Sequence, residues 1–147
     1  MFKRIVVGTD GSETAAEAVR QAIELAKLTG GTLSIVSAYQ PAPDRRVKAE
    51  QEGAPADVQY EIGPREDVNL VLDAAAADAK KEGIEVQTHP VEADPADAIL
   101  NVAEETKADL IVVGNKGMTG ARRYLLGSVP NNVSHHASCS VIIVRTT

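Results

Sequence analysis

The stretch Leu110-Ile111-Val112-Val113-Gly114-Asn115-Lys116-Gly117-Met118-Thr119-Gly120 runs four aliphatic residues straight into a loop with three glycines. A short, unbroken apolar run of this kind reads as a strand covered on both faces, the pattern of a parallel sheet. Three further runs share it: Ile5-Val6-Val7, Leu33-Ser34-Ile35-Val36 and Val141-Ile142-Ile143-Val144. A weaker run from Ile84 to His89 alternates apolar and polar residues and predicts a less buried strand, with His89 at its end before Pro90.

Helical periodicity fills the intervals. Residues 13–28 place Ala15, Ala18, Val19, Ala22, Ile23 and Ala26 on one face, and Gly30-Gly31 supplies a left-handed stop. Residues 64–82 start at Pro64 with Glu66 and Asp67 in the first turn and end at Gly83. Residues 95–107 begin with Asp94 as N-cap and Pro95 at the first helical position. A last helix spans about 128–137. Strands that alternate with helices predict an α/β protein with a mostly parallel sheet. Residues 40–62, with Pro41, Pro43 and Pro55 among mixed charges, show no helical period and read as a long loop. The sequence shows no domain boundary and no internal repeat.

Composition sets the outer limits. The chain has 147 residues, a usual size for one domain with a core of its own. Aromatic residues are only 3%, so Val, Ile, Leu and Ala must build that core. A formal net charge of −6 argues against a coat for nucleic acid or anionic membrane. A single cysteine, Cys139, allows no internal disulfide, fits a reducing compartment and reads as a small packing residue. No apolar run approaches the roughly 18 residues of a membrane span, and the run before Gly8-Thr9-Asp10 is too short for a signal peptide. The expectation is a soluble, cytoplasmic protein.

In open parallel sheets, ligands bind beyond the carboxyl ends of strands near a topological switch point. Two strand ends here are glycine-rich: Gly8-Thr9-Asp10-Gly11-Ser12, and the loop from Gly114 that continues to Gly127-Ser128-Val129-Pro130. Glycines let backbone N–H groups approach an anion, and a helix start at Ser128 adds unpaired N–H groups and a favourable dipole. Pro130 has no N–H, so such a cradle rests on Gly127, Ser128 and Val129. The spacing Gly114-x2-Gly117-x9-Gly127-Ser128 is neither a P-loop nor a dinucleotide fingerprint.

That spacing resembles the nucleotide-binding motif of the universal stress protein family, UspA type. Val6 to Ser12 resembles the family's opening strand and loop, and His136 to Val144 its closing helix and strand. Leu125 to Val133 is most similar to actinobacterial members, some of which bind cyclic AMP. The resemblance implies one universal stress protein domain over residues 1–147. Its fold would be a single open five-stranded parallel sheet in the order 3-2-1-4-5 with helices on both faces. Such a sheet is Rossmann-like and similar to that of the adenine nucleotide alpha hydrolases. A homodimer through the C-terminal strand and bound ATP, with or without Mg²⁺, are also implied. Asp10 matches a ribose contact and Ala38 an adenine contact, while Gly114, Gly117, Gly127, Ser128 and Val129 match the phosphate cradle. Thr9 and Val113 complete the implied nucleotide-binding set. Ser140 stands where the family commonly has proline.

Other candidates weigh less. A phosphoacceptor role for Asp10 wants a second acid beside it and an acceptor aspartate at the end of the central strand. His135 and His136 are adjacent and diverge on a helix, and no catalytic or metal-ligating set is expected. Asp94 and Asp97 fit helix capping better than metal binding. Arg122-Arg123 reads equally as a solvated face or as an attractor of phosphates. The leading expectation is an adenine-nucleotide-binding regulatory dimer, with a cyclic AMP-binding protein, a slow ATPase and a ligand-free interaction module as alternatives.

Overall fold

The computed structural model describes residues 1–40, 64–115 and 128–146. Along them run β1 (Arg4–Gly8), α1 (Glu13–Thr29), β2 (Thr32–Tyr39), α2 (Pro64–Lys81) and β3 (Val86–Glu92). They are followed by α3 (Pro95–Thr106), β4 (Leu110–Gly114), α4 (Ser128–His136) and β5 (Ser140–Val144). The strands form one parallel sheet in the order β3-β2-β1-β4-β5, the order the resemblance implies. The expected long loop lies outside the described residues, except for Gln40.

Alternation along each strand divides the core into two layers. Ile5, Val7, Leu33, Ile35, Leu110 and Val112 meet α1 and α2 on one face. Val6, Val36, Ile111 and Val113 meet α3 and α4 on the other. Both faces are covered, which is why these strands read as unbroken aliphatic runs. The largest fully buried side chains are aliphatic, Ile5, Leu33, Ile35, Leu72, Leu110 and Ile111 among them. Truncating one such leucine to alanine costs about 2–5 kcal/mol.

Helix α1 shows how local signals agree with packing. Its buried residues are the six of the expected face, Ala15, Ala18, Val19, Ala22, Ile23 and Ala26. Small residues there let the helix lie close on the sheet. The Ser12 hydroxyl accepts a hydrogen bond from the Ala15 N–H at 3.1 Å and caps the start. Gly30, at φ 70°, ends the helix in the left-handed conformation that glycine adopts freely.

Two expectations need correction. His89 is not a strand-end residue: β3 starts later than expected, at Val86, and continues through His89 and Pro90 to Glu92. Proline is tolerated there because β3 is an edge strand, where one missing N–H costs the sheet nothing on the outer side. Asp94 does hold the N-cap position of α3, but its side chain makes no capping bond. Its Oδ1 instead accepts from Gln40 Nε2 at 2.7 Å, a partner 54 residues away.

Candidate functional site

Every strand of this sheet points its carboxyl end the same way, so all five strand ends lie along one edge. Pairing between β1 and β2 continues to Gly8 and Val36, and pairing between β4 and β5 to Gly114 and Val144. Between β1 and β4 it stops earlier, at Val7 and Val112. The two central strands thus part at the switch point, and a cleft partly open to solvent lies between them.

One wall is Gly8-Thr9-Asp10 and the other Val113-Gly114; Val36 and Ala38 of β2 extend the apolar surface. Helices close the remainder with residues near their N-terminal ends: Ala15 of α1, Pro95 and Ile99 of α3, Val129 and Pro130 of α4. Three helix N-termini therefore converge on one cleft. Their dipoles favour an anion in a chain whose net charge is negative.

The loop from Thr9 to Ser12 is held by its own side chains. The Thr9 N–H donates to the Val36 carbonyl at 2.9 Å, which pins the loop to β2. The Gly11 N–H donates to Thr9 Oγ1 at 3.2 Å, and the Ser12 N–H to Asp10 Oδ1 at 2.9 Å. The second bond is an Asx turn that fixes the Asp10 carboxylate at the cleft. Gly11 sits at φ 84°, and a β-carbon on it would lie 2.7 Å from Val71 Cγ2 of α2. Conformation and close packing both demand glycine there.

Of the residues the sequence points to, Thr9, Asp10, Ala38, Val113, Gly114 and Val129 line this one cleft. Ser128 is the first residue of α4, whose next two residues reach the cleft. Gly117 and Gly127 lie outside the described residues, as do Lys116 and Arg122-Arg123. The sequence reading put Gly8 at this edge without giving it a ligand contact, and it missed Ala15, Val36, Pro95 and Ile99 as cleft residues. For Pro95 a signal existed, since a helix start that follows a strand end must lie on this edge. For Ile99 there was none; a buried isoleucine on a helix reads simply as core.

Side chains elsewhere offer little chemistry. Cys139 is half-buried against the α3 side of the core, and burial pushes its thiol pKa up. His135 and His136 are exposed on α4. Among the described residues, no three His, Cys, Asp or Glu side chains gather as a metal site. Among the described residues magnesium would find one carboxylate in the cleft, Asp10, whose Oδ1 already accepts the Ser12 N–H. Among the described residues, no helix is long and apolar enough to cross a membrane.

The architecture defines a doubly wound α/β protein with its crevice at the strand-order reversal. The sequence model of the Universal stress protein family matches residues 1–145, and the chain belongs to that family. It is 39% identical to universal stress protein Rv1636 of Mycobacterium tuberculosis over 147 residues, 99% of this chain and 98% of that one. A solved universal stress protein in complex with cAMP superposes with a TM-score of 0.72 at 35% identity, covering 99% and 98% of the two chains. A universal stress protein from Archaeoglobus fulgidus in complex with dAMP gives 0.66 at 26% identity, covering 97% of each.

Proposed function

We propose that this chain, as one domain over residues 1–147, binds an adenine nucleotide between β1 and β4 and acts as a cytoplasmic stress-response regulator. The observation that supports it most is the cleft itself, where apolar walls meet three helix N-termini and one carboxylate. A nucleotide needs that combination: flat apolar surface for the base, an acceptor for the ribose, and N–H groups for phosphate. In this reading the base lies against Ala38 and Val36, and Asp10 accepts from a ribose hydroxyl. Phosphate oxygens meet the N–H groups around Gly114, Gly117, Gly127, Ser128 and Val129, with Thr9 and Val113 on the walls.

ATP is the proposed ligand. Cyclic AMP is the second reading, supported by the neighbour solved in complex with cAMP. The role is binding with at most slow hydrolysis, because Asp10 is the one ionisable side chain among the described residues of the cleft. Assembly is proposed as a homodimer through β5, the edge strand on which Ile143 is 47% exposed.

Thermal scans and calorimetric titration with ATP, ADP, AMP and cyclic AMP, each with and without Mg²⁺, test the reading. A true ligand at a hundredfold excess over its Kd should stabilise the fold by about 2.7 kcal/mol. The order of affinities separates ATP from cyclic AMP. No stabilisation by any of the four would refute nucleotide binding.

A further inference from the structure

The residue after Gly114 is tied to the end of β5 and the chain just beyond it by three hydrogen bonds. The Asn115 N–H donates to the Val144 carbonyl at 2.9 Å. Asn115 Oδ1 accepts twice from Thr146, from its N–H at 2.9 Å and its hydroxyl at 2.8 Å. Both side chains are partly buried. The Thr146 methyl then packs on Gly114, with Cγ2 3.5 Å from where a β-carbon of that glycine would stand. The Thr14 carbonyl oxygen and Ala18 Cβ of α1 lie against the same position, at 3.8 and 3.9 Å.

We infer that Asn115 is a positioning residue for the nucleotide cleft, acting with Thr146 as a clamp on the Gly114 backbone. The inference rests on the proposed nucleotide site and adds a regulator of its geometry. Glycine has the loosest backbone of any residue, yet Gly114 must present its N–H to the ligand with a fixed aim. Successive N–H groups of a strand point to opposite neighbours, so with Asn115 bonded to β5, that of Gly114 turns towards β1. There β1 and β4 have already parted, and the cleft begins. The clamp holds the peptide between Gly114 and Asn115, and through it the conformation of Gly114, before any ligand arrives. Such preorganisation strengthens binding without touching the ligand.

The residue types fit this role. An asparagine oxygen accepts both Thr146 donors while adding no negative charge beside the anion. Thr146 supplies two donors and a methyl at once. It also makes the cleft sensitive to the strand that precedes it, since any displacement of β5 moves Thr146 and with it Asn115.

The test uses the full chain and displacement of a fluorescent adenine nucleotide by ATP and by adenosine. Asn115→Ala should weaken ATP about tenfold, the loss expected for an acceptor of two partly buried bonds, with adenosine within about twofold of wild type. Thr146→Val keeps the shape but loses the hydroxyl donor, and should weaken ATP about threefold. Thr146→Ser keeps both donors and should recover most of that loss. The double variant should be no worse than Asn115→Ala alone, because one clamp is broken once. ATP affinity unchanged in both single variants, or equal losses for ATP and adenosine, would overturn the clamp while leaving nucleotide binding intact. A wild-type chain that takes up no fluorescent nucleotide would overturn both readings.

Discussion

Ile99 of α3 occupies the space that a side chain on Gly8 of β1 would need. A β-carbon built on Gly8 lies 2.6 Å from Ile99 Cδ1 and 3.0 Å from Cγ1, inside van der Waals contact. Both residues line the cleft, and Ile99 is otherwise buried against the sheet. The glycine is therefore demanded by close approach. Its removal would push an isoleucine towards the ligand.

Gly8→Ala should accordingly lower nucleotide affinity more than it lowers stability. Ile99 can relieve the clash by leaving its rotamer, at about 0.5–1.5 kcal/mol, and the direction left open is the cleft. Ile99→Val deletes Cδ1, the nearest clashing atom. The double variant Gly8→Ala with Ile99→Val should regain most of the affinity lost by Gly8→Ala. Parallel urea melts and nucleotide titrations check both halves of the statement. A fall in stability with affinity unchanged would show that Ile99 relaxes elsewhere.

Asp10 has two tasks that substitution can separate. Its Oδ1 closes the Asx turn with the Ser12 N–H, and its carboxylate faces the cleft. Asp10→Asn keeps an acceptor for the turn but loses the charge and half the acceptor capacity. Asp10→Ala loses both. Calorimetry should find affinity falling severalfold in the first and more than tenfold in the second. Stability should drop by about 1 kcal/mol in the alanine variant alone, the usual worth of one such bond.

The layered fold was legible because its causes are local and repeated. The four aliphatic runs became β1, β2, β4 and β5, and the buried face of α1 is the one its spacing marks. Half of the cleft was legible for the same reason, since Gly8 to Ser12 and Gly114 follow strands directly. Its other walls come from α3 and α4, which only the strand order brings near β1. Ile99 carries no mark that distinguishes it from Val102, one turn further along the same buried face. Asp94 was legible only in part: it holds the cap position, but the bond its carboxylate makes is to a distant donor, Gln40. His89 misled because proline after it suggested a boundary, whereas the edge of a sheet accepts proline.

His89 should make the fold sensitive to acid. Its Nε2 is buried and makes no hydrogen bond, and burial holds the imidazole below its ordinary pKa of 6.5, with Glu105 opposing the shift. Below pH 6.5 the unfolded chain takes up a proton that the folded chain still refuses. This contribution to stability is complete above the unfolded value and is lost as pH falls from there through the folded one. His89→Leu removes the titrating group and the orphaned nitrogen together. Urea melts from pH 7.5 down to about 5 should show a flatter pH dependence of stability in this variant than in wild type. Equal slopes in the two proteins would exclude His89 as the source.

The outer edge of β5 supports the last prediction. Among the described strands, β5 pairs only with β4, and Ile143 is nearly half exposed while Val144 beside it is buried. An apolar side chain on an open edge is a site where another strand can add, and natural sheets usually protect such edges with charge. Ile143→Lys installs that charge without cutting into the core, so the folded monomer should lose little stability. Under the proposed dimer, the variant should sediment as a monomer at concentrations where the wild type is dimeric. Its thermal transition should fall and become independent of protein concentration, because the stabilisation supplied by association is gone. A wild-type chain that sediments as a monomer would remove the dimer. A dimeric Ile143→Lys chain would move the contact to another surface.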